Sequence, residues 1–275
     1  MEKALNSILS QTFKDYELII SNNASNDQTH KICKKFIQSD SRIRYYKQRK
    51  EIDALNNFNF VLQKSKGKYF MWWAHDDTRS KNFLEECVRE LSSNPNIIAA
   101  TCPFRFEGET NAKLIKYSLA GDRETRFKAW FKNYKRCHGI FYCLIKKTVL
   151  NHCPFLIGKK FLAIDWAIIF YVLAEGSIIT TTKGVATFGL GGMSAKPNFM
   201  KTFRNHKIEY LFPYGHYSLI ALEYCKKFSI SENLSLLRHL IELNCSTLVL
   251  VIKSNIKDIL SLIFNFSDRG KLVSK

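Results

Sequence analysis

Acidic residues are scarce in this sequence. Its 275 residues hold 24 Asp and Glu against 42 Lys and Arg, a formal net charge of +18 at pH 7. Such a surface attracts anions: nucleotides, phospholipid headgroups, lipid diphosphates or nucleic acid. The excess is steepest at 123–147, where eight basic residues face one acid, Glu124. No recognised reader motif accompanies the charge, so a nucleic-acid partner is not expected. Paired metal-ligand cysteines are missing too. Eight cysteines are scattered with no C-x-x-C spacing, and Cys137-His138 are adjacent; a zinc site is therefore excluded and reduced thiols in a cytoplasmic setting are expected. Long apolar runs are also missing. The best candidate, 248–266, is interrupted by Lys253, Lys257 and Asp258, so no bilayer-spanning helix is expected. The N-terminal MEKALNSILSQTF has no long apolar h-region, which argues against a secretory signal. No internal repeat or low-complexity linker is present.

What is there is a core-forming chain: 46% of the residues are apolar, enough for one large domain or a domain with a helical appendage. Periodicity predicts a helix over 2–12, with Ala4, Leu5, Ile8 and Leu9 on one face. A buried strand follows over 16–21, then the turn-forming Asn22-Asn23-Ala24-Ser25-Asn26-Asp27. Helices are predicted over 28–39 (Ile32 and Phe36 inward), 53–65 (Leu55, Phe58 and Leu62 on one stripe) and 81–92. Strands are predicted over 42–46 and 68–74. Alternating strands and helices imply a mostly parallel sheet flanked by helices, an α/β fold, with ligands at the carboxyl ends of the strands. Two polar clusters stand there: 22–27 and His75-Asp76-Asp77. Beyond residue 100 the pattern loosens, with a helix over 166–174 and strands over 178–182 and 185–190. From about 200 it turns helical, over 217–228, 233–251 and 255–266. The expected organisation is a domain over 1–197, with halves 1–100 and 101–197, and a helical region over 198–275.

Asp76-Asp77 is the strongest chemical feature. Adjacent carboxylates repel unless a cation is bound, and a divalent ion held by one or two carboxylates and substrate phosphates is the usual arrangement for nucleoside diphosphates. The competing reading is a cap for a helix starting near Ser80. Asp165 is a lone carboxylate in the apolar run FLAIDW; burial there favours a proton acceptor, and the competing reading is the cap of helix 166–174. His75 is placed for diphosphate contact and His138 for the acceptor pocket. Trp72 and Trp73 read as core and pocket wall in alternation.

Three stretches, ALNSILSQTFKDYELIISNNASNDQT, NNFNFVLQKSKGKYFMWWAHDD and FLEECVRELSSNP, stand in order over about ninety residues. Together they resemble the nucleotide-binding half of family 2 glycosyltransferases, which have the GT-A fold; HGIFYCLIKKTVL and AIDWAIIFYVLAEGSI match more loosely. The resemblance implies a sugar-nucleotide-dependent transferase in polysaccharide or glycan synthesis, inverting and metal-dependent. Asp76 would face the ribose or a diphosphate-bound water, and Asp77 would ligate Mn2+ or Mg2+. Asn22 and Asn23 would stand where the nucleotide base is contacted, and Asp165 would be the general base. Expected partners are a nucleotide-diphosphate sugar, a UDP-sugar foremost, and a glycan or lipid-linked acceptor. Apolar residues at 248–264 beside Lys253 and Lys257 offer peripheral contact at the inner face of a membrane; packing on the domain or on a second subunit is the other reading.

Two departures matter. The family's domain opens with an apolar strand ending in a Pro-x-Tyr-Asn-like loop, and the sequence before the first helix has none; loss of that strand would expose flanking strand edges, so either the true start lies upstream, another segment fills the gap, or the protein is degenerate. The stretch Gly189-Leu190-Gly191-Gly192-Met193-Ser194 offers glycines where relatives place a basic or His residue, leaving a third metal ligand unidentified. A nucleotide-sugar-binding module without turnover is therefore the alternative.

Overall fold

The computed structural model describes residues 1–109, 113–116, 118–134, 138–158, 160–191, 209, 211–226, 228–229, 233–234, 236–249 and 252. The chain divides into two compact units, Met1–Lys160 with Ile164–Phe199, and Phe161–Ala163 with Met200–Lys275.

In the first unit the predicted alternation is observed. Helix α1 (Glu2–Leu9) buries Ala4, Leu5 and Ile8, the spacing of one helical face. Strand β1 (Leu18–Asn22) pairs in parallel with β2 (Ile43–Lys47) through the crossover helix α2 (Thr29–Ser39). Helix α3 (Ala54–Lys64) starts at Asp53, whose carboxylate accepts the Asn56 N–H at 3.1 Å; this satisfies a donor that would otherwise be left unpaired. There follow β3 (Tyr69–Phe70), β4 (Thr78–Arg79), α4 (Phe83–Ser93), β5 (Ile97–Thr101), β6 (Phe104–Phe106) and α5 (Arg123–Asn133). The unit continues with β7 (Leu144–Lys146), α6 (Lys147–Leu150), α7 (Ile164–Glu175), β8 (Ser177–Thr180) and β9 (Ala186–Phe188).

The strands form three sheets, β1-β2, β3-β7-β5-β8 and β4-β9-β6. Pairings are mixed: β7 runs antiparallel to β3 and β5, while β5 is parallel to β8. Among the described residues, two of the places where apolar faces gather bear on the site. One joins Leu5, Ile20, Cys33 and Ile43 under the first sheet. The other joins Phe83, Leu84, Cys87 and Leu91 of α4 to Ala100, Phe104, Leu144 and Phe188.

The predicted strand over 68–74 is laddered only at Tyr69–Phe70, because one of its sides has no partner. Among the described residues β1 pairs only with β2 and β3 only with β7. Residues 15–21 along one side and 65–75 along the other line a cavity of about 820 Å³, closed by Leu5, Phe58, Leu84 and Val88 from the helices.

In the second unit, helix α8 (Gly215–Cys225) buries Tyr217, Ala221 and Cys225. It is tied to the helical stretch 236–249 through Asn244, whose Oδ1 accepts the Tyr214 N–H at 2.9 Å and whose Nδ2 donates to Ser218 Oγ at 3.0 Å. The helix predicted over 255–266 lies outside the described residues. No described helix is long and apolar enough to cross a membrane. All seven described cysteines are free thiols.

Candidate functional site

The acidic pair is positioned by a strand pairing remote in sequence. Strand β4 runs antiparallel to β9, with Thr78 opposite Thr187 and Arg79 opposite Ala186. Residues just before β4 therefore meet residues just after β9, and Asp76-Asp77 faces Gly189. Neither aspartate caps a helix: α4 begins at Phe83, after Asn82.

The two carboxylates have opposite environments. Asp77 is 3% exposed. Its Oδ1 accepts the Gly189 N–H at 3.0 Å and its Oδ2 accepts Arg79 Nη2 at 3.3 Å. Its carbonyl accepts Trp73 Nε1 at 3.1 Å. Burial pushes the Asp77 carboxyl up from its ordinary value; Arg79 and the Gly189 amide oppose that shift. The Arg79 guanidinium is fully buried among three rings, 4.9 Å from the centroid of Trp73, 5.4 Å from Phe83 and 4.9 Å from Phe188. Aromatic faces and Asp77 are its compensation for lost water.

Asp76 instead lies at the edge of the unit, its side chain 21% exposed. Its Oδ2 is buried and has no hydrogen-bond partner. His75 is mostly exposed, with Nδ1 3.9 Å from Asp76 Oδ1. The carboxylate sits tight against the opposite chain: a Cβ added at Gly189 would lie 2.5 Å from Asp76 Oδ2, and one at Gly191 would lie 3.5 Å from it. An orphaned carboxylate oxygen in a polar corner is what a hard cation uses. Among the described residues no group of three His, Cys, Asp or Glu could hold a metal. The free Asp76 oxygen suits one ligand position of a divalent ion. Gly192, Met193 and Ser194 lie outside the described residues.

Two residues the sequence reading passed over join the site. Arg79 is one. Tyr142 is the other: burial raises its phenol well above the ordinary value, and the charges of Asp77, Asp165 and Asp76 push the same way. Its ring lies 5.9 Å from that of Phe188, the residue packed on the Arg79 guanidinium. Asp165 lies in the first turn of α7, inside the helix rather than at its cap. Trp72 is buried, stacked on Phe141 at 4.7 Å and bonded to the Phe58 carbonyl; Trp73 lines the cavity beside β3. The side chain of His138 lies outside the described residues.

The other polar cluster is closed on itself. Asn22 Oδ1 accepts the Ser25 N–H at 2.8 Å and its Nδ2 donates to Tyr45 Oη at 2.9 Å. Asn23 bonds both backbone groups of Ile52, at 2.7 and 3.0 Å. Both amides are committed to the protein and shape the loop at the end of β1.

Known proteins share this framework. Residues 1–153 match the family described as Glycosyl transferase family 2. A Campylobacter jejuni protein named GalNAc(5)-diNAcBac-PP-undecaprenol beta-1,3-glucosyltransferase is 26% identical over 156 residues, 56% of this chain and 50% of that protein. Streptococcus pneumoniae glycosyltransferase GlyA is 30% identical over 92 residues, 33% of this chain and 13% of that one. The chain thus spans about half or less of the curated relatives it matches. Among solved structures, S. aureus TarS in complex with UDP-GlcNAc superposes with a TM-score of 0.55 at 16% identity, covering 93% of this chain and 83% of that one. The Pyrobaculum calidifontis mannosyltransferase PcManGT, in complex with GDP-Man and Mn2+, gives 0.55 at 13% identity, covering 99% and 76%. These likenesses carry the GT-A fold, and with the match over more than half of its length the chain belongs to glycosyl transferase family 2.

Proposed function

We propose that this chain transfers a sugar from a nucleotide-diphosphate sugar, a UDP-sugar foremost, to an acceptor hydroxyl with inversion, in glycan or polysaccharide synthesis. The observation that carries the reading is the unpartnered Oδ2 of Asp76, which faces Gly189 and Gly191 at the mouth formed by β4 and β9. It supports Asp76 as the anchor for Mn2+ or Mg2+, the role first given to Asp77. A bound divalent ion would supply Lewis-acid stabilisation to the leaving diphosphate. His75, exposed beside Asp76, is the near candidate for a diphosphate oxygen. At the acceptor, Asp165 takes the proton of the attacking hydroxyl while oxygen bonds to the anomeric carbon. The bond from that carbon to the diphosphate oxygen breaks, and its electron pair leaves with the diphosphate.

The relative's undecaprenol-diphosphate substrate supports a lipid-linked acceptor here, met at the cytoplasmic face of a membrane. Exposed Leu234, Leu237, Ile241, Val249 and Ile252 in the second unit support peripheral contact there. The test is a panel of nucleotide sugars with Mn2+ or Mg2+, read both as binding and as sugar release. Asp165→Asn is expected to keep donor binding and lose transfer; normal transfer by that variant removes Asp165 as base. Binding without turnover of any donor by the wild type leaves the non-catalytic module as the function.

A further inference from the structure

Asp77 and Arg79 lie on one strand face two residues apart, and both are buried. A buried ion pair is a poor way to gain stability, because desolvation offsets most of the attraction. This one is also imperfect: Arg79 Nε has no hydrogen-bond partner. Yet the pair does something no apolar substitute would. The second Asp77 oxygen takes the Gly189 N–H, the first group after β9 and one not used by that strand's ladder. Phe188, one residue earlier, lies against the same guanidinium. Both neighbours of the 188–189 peptide are thereby fixed to β4. Gly189 in turn forms the wall on which the Asp76 carboxylate rests, with room for no side-chain atom between them.

We infer that Arg79 and Asp77 are positioning residues. Arg79 holds the other oxygen of Asp77, and Asp77 grips the Gly189 amide, which fixes the Asp76 carboxylate for its ligand. Asp77 itself touches no ligand. The inference rests on the reading of Asp76 as cation anchor given above, but the grip is observable without any cation.

Paired variants separate a grip from a ligand. In Asp77→Asn/Arg79→Met the amide oxygen still accepts the Gly189 N–H and no buried charge is left over. In Asp77→Leu/Arg79→Met the volume is kept and the acceptor is gone. Two measurements are made on each full chain: hydrogen exchange at the Gly189 amide without metal, and Mn2+ affinity by electron paramagnetic resonance. The Asn variant is expected to keep Gly189 protection and wild-type Mn2+ affinity. The Leu variant should lose protection, with affinity falling about tenfold or more, the effect of removing a residue that orients a ligand. Equal loss of Mn2+ in both variants would make Asp77 a ligand and overturn the inference, as would equal retention in both or an unprotected Gly189 amide in the wild type. If the wild type binds no Mn2+, the cation reading of Asp76 falls, and the exchange comparison alone decides the grip. Should the double variants not fold, Gly189→Ala keeps both charges and forces a methyl against Asp76. It should lose Mn2+ affinity, and unchanged affinity there overturns the inference too.

Discussion

Two polar clusters stand at the ends of strands in the first unit, and they differ in a single respect. At Asn22-Asn23 each amide is spent on the protein's own backbone or on Tyr45. At Asp76-Asp77 one carboxylate is spent and the other has an oxygen left over. Composition does not foretell this difference, since both clusters are short, polar and stand beside strand ends. Hydrogen-bond accounting shows it: a buried acceptor without a partner is unfavourable, and that is the observation behind reading Asp76 as the one that takes a ligand.

The sharpest way to break that contrast is Arg79→Met. It leaves the Asp77 carboxylate buried without its counter-charge, and unfolding in urea should show a loss of about 3–5 kcal/mol. A loss below about 1 kcal/mol would mean that Asp77 is already neutral in the folded chain. Next in size, Asn23→Ala removes both bonds to Ile52. About 1–2 kcal/mol is expected, with donor affinity in calorimetry changed by little. A large drop in affinity at unchanged stability would return Asn23 to the nucleotide.

A smaller effect is expected at Asp40, beside the first sheet. The Arg42 guanidinium hydrogen-bonds it and holds its carboxyl low, at about 2. A depressed carboxylate contributes stability above its unfolded value, near pH ~4, and loses that contribution as pH falls towards about 2. Asp40→Asn should therefore cost under about 1 kcal/mol at pH 7, because solvent screens the pair, and progressively less as pH falls through about 2. A difference that persists unchanged at pH 2 would mean a packing effect instead. The smallest change in stability is predicted for Asp76→Asn, close to zero, yet this variant should lose Mn2+-dependent UDP binding. Retained metal-dependent binding would erase the difference between the clusters.

Much of this was legible in the sequence because it is local. The spacing of Ala4, Leu5 and Ile8, or of Leu55 and Leu62, sets which helix face is buried, and Asp76-Asp77 stands out after an apolar segment. Which aspartate keeps an oxygen free was not legible. That depends on β4 pairing with β9, a contact fixed by long-range packing of Phe83, Phe104 and Phe188. Arg79 looks like one more surface cation in a basic chain; the alternation Asp77-x-Arg79 in a strand was the one available sign that the two share a face. Tyr142 joins the site only because β7 lies between β3 and β5 in the central sheet. The short ladder of β3 has the same origin: a segment can be strongly apolar and still lack a neighbour to pair with.

The cavity between β1 and β3 bears on cooperativity. No backbone ladder among the described residues ties the β1-β2 sheet to the central one, and its apolar residues form a cluster of their own. Side-chain packing and side-chain hydrogen bonds, such as Arg44 Nη1 to the Lys64 carbonyl at 2.9 Å and Ser21 Oγ to Asn57 Oδ1 at 2.6 Å, carry the connection. Such a piece opens as an independent unit, at a free energy below that of global unfolding. Amides of β1, α2 and β2 should then exchange together and earlier than those of β5 and β8. The half of the unit that precedes the acidic pair would thus be the first to come loose, and whatever fills the cavity would couple the two sheets into a single transition.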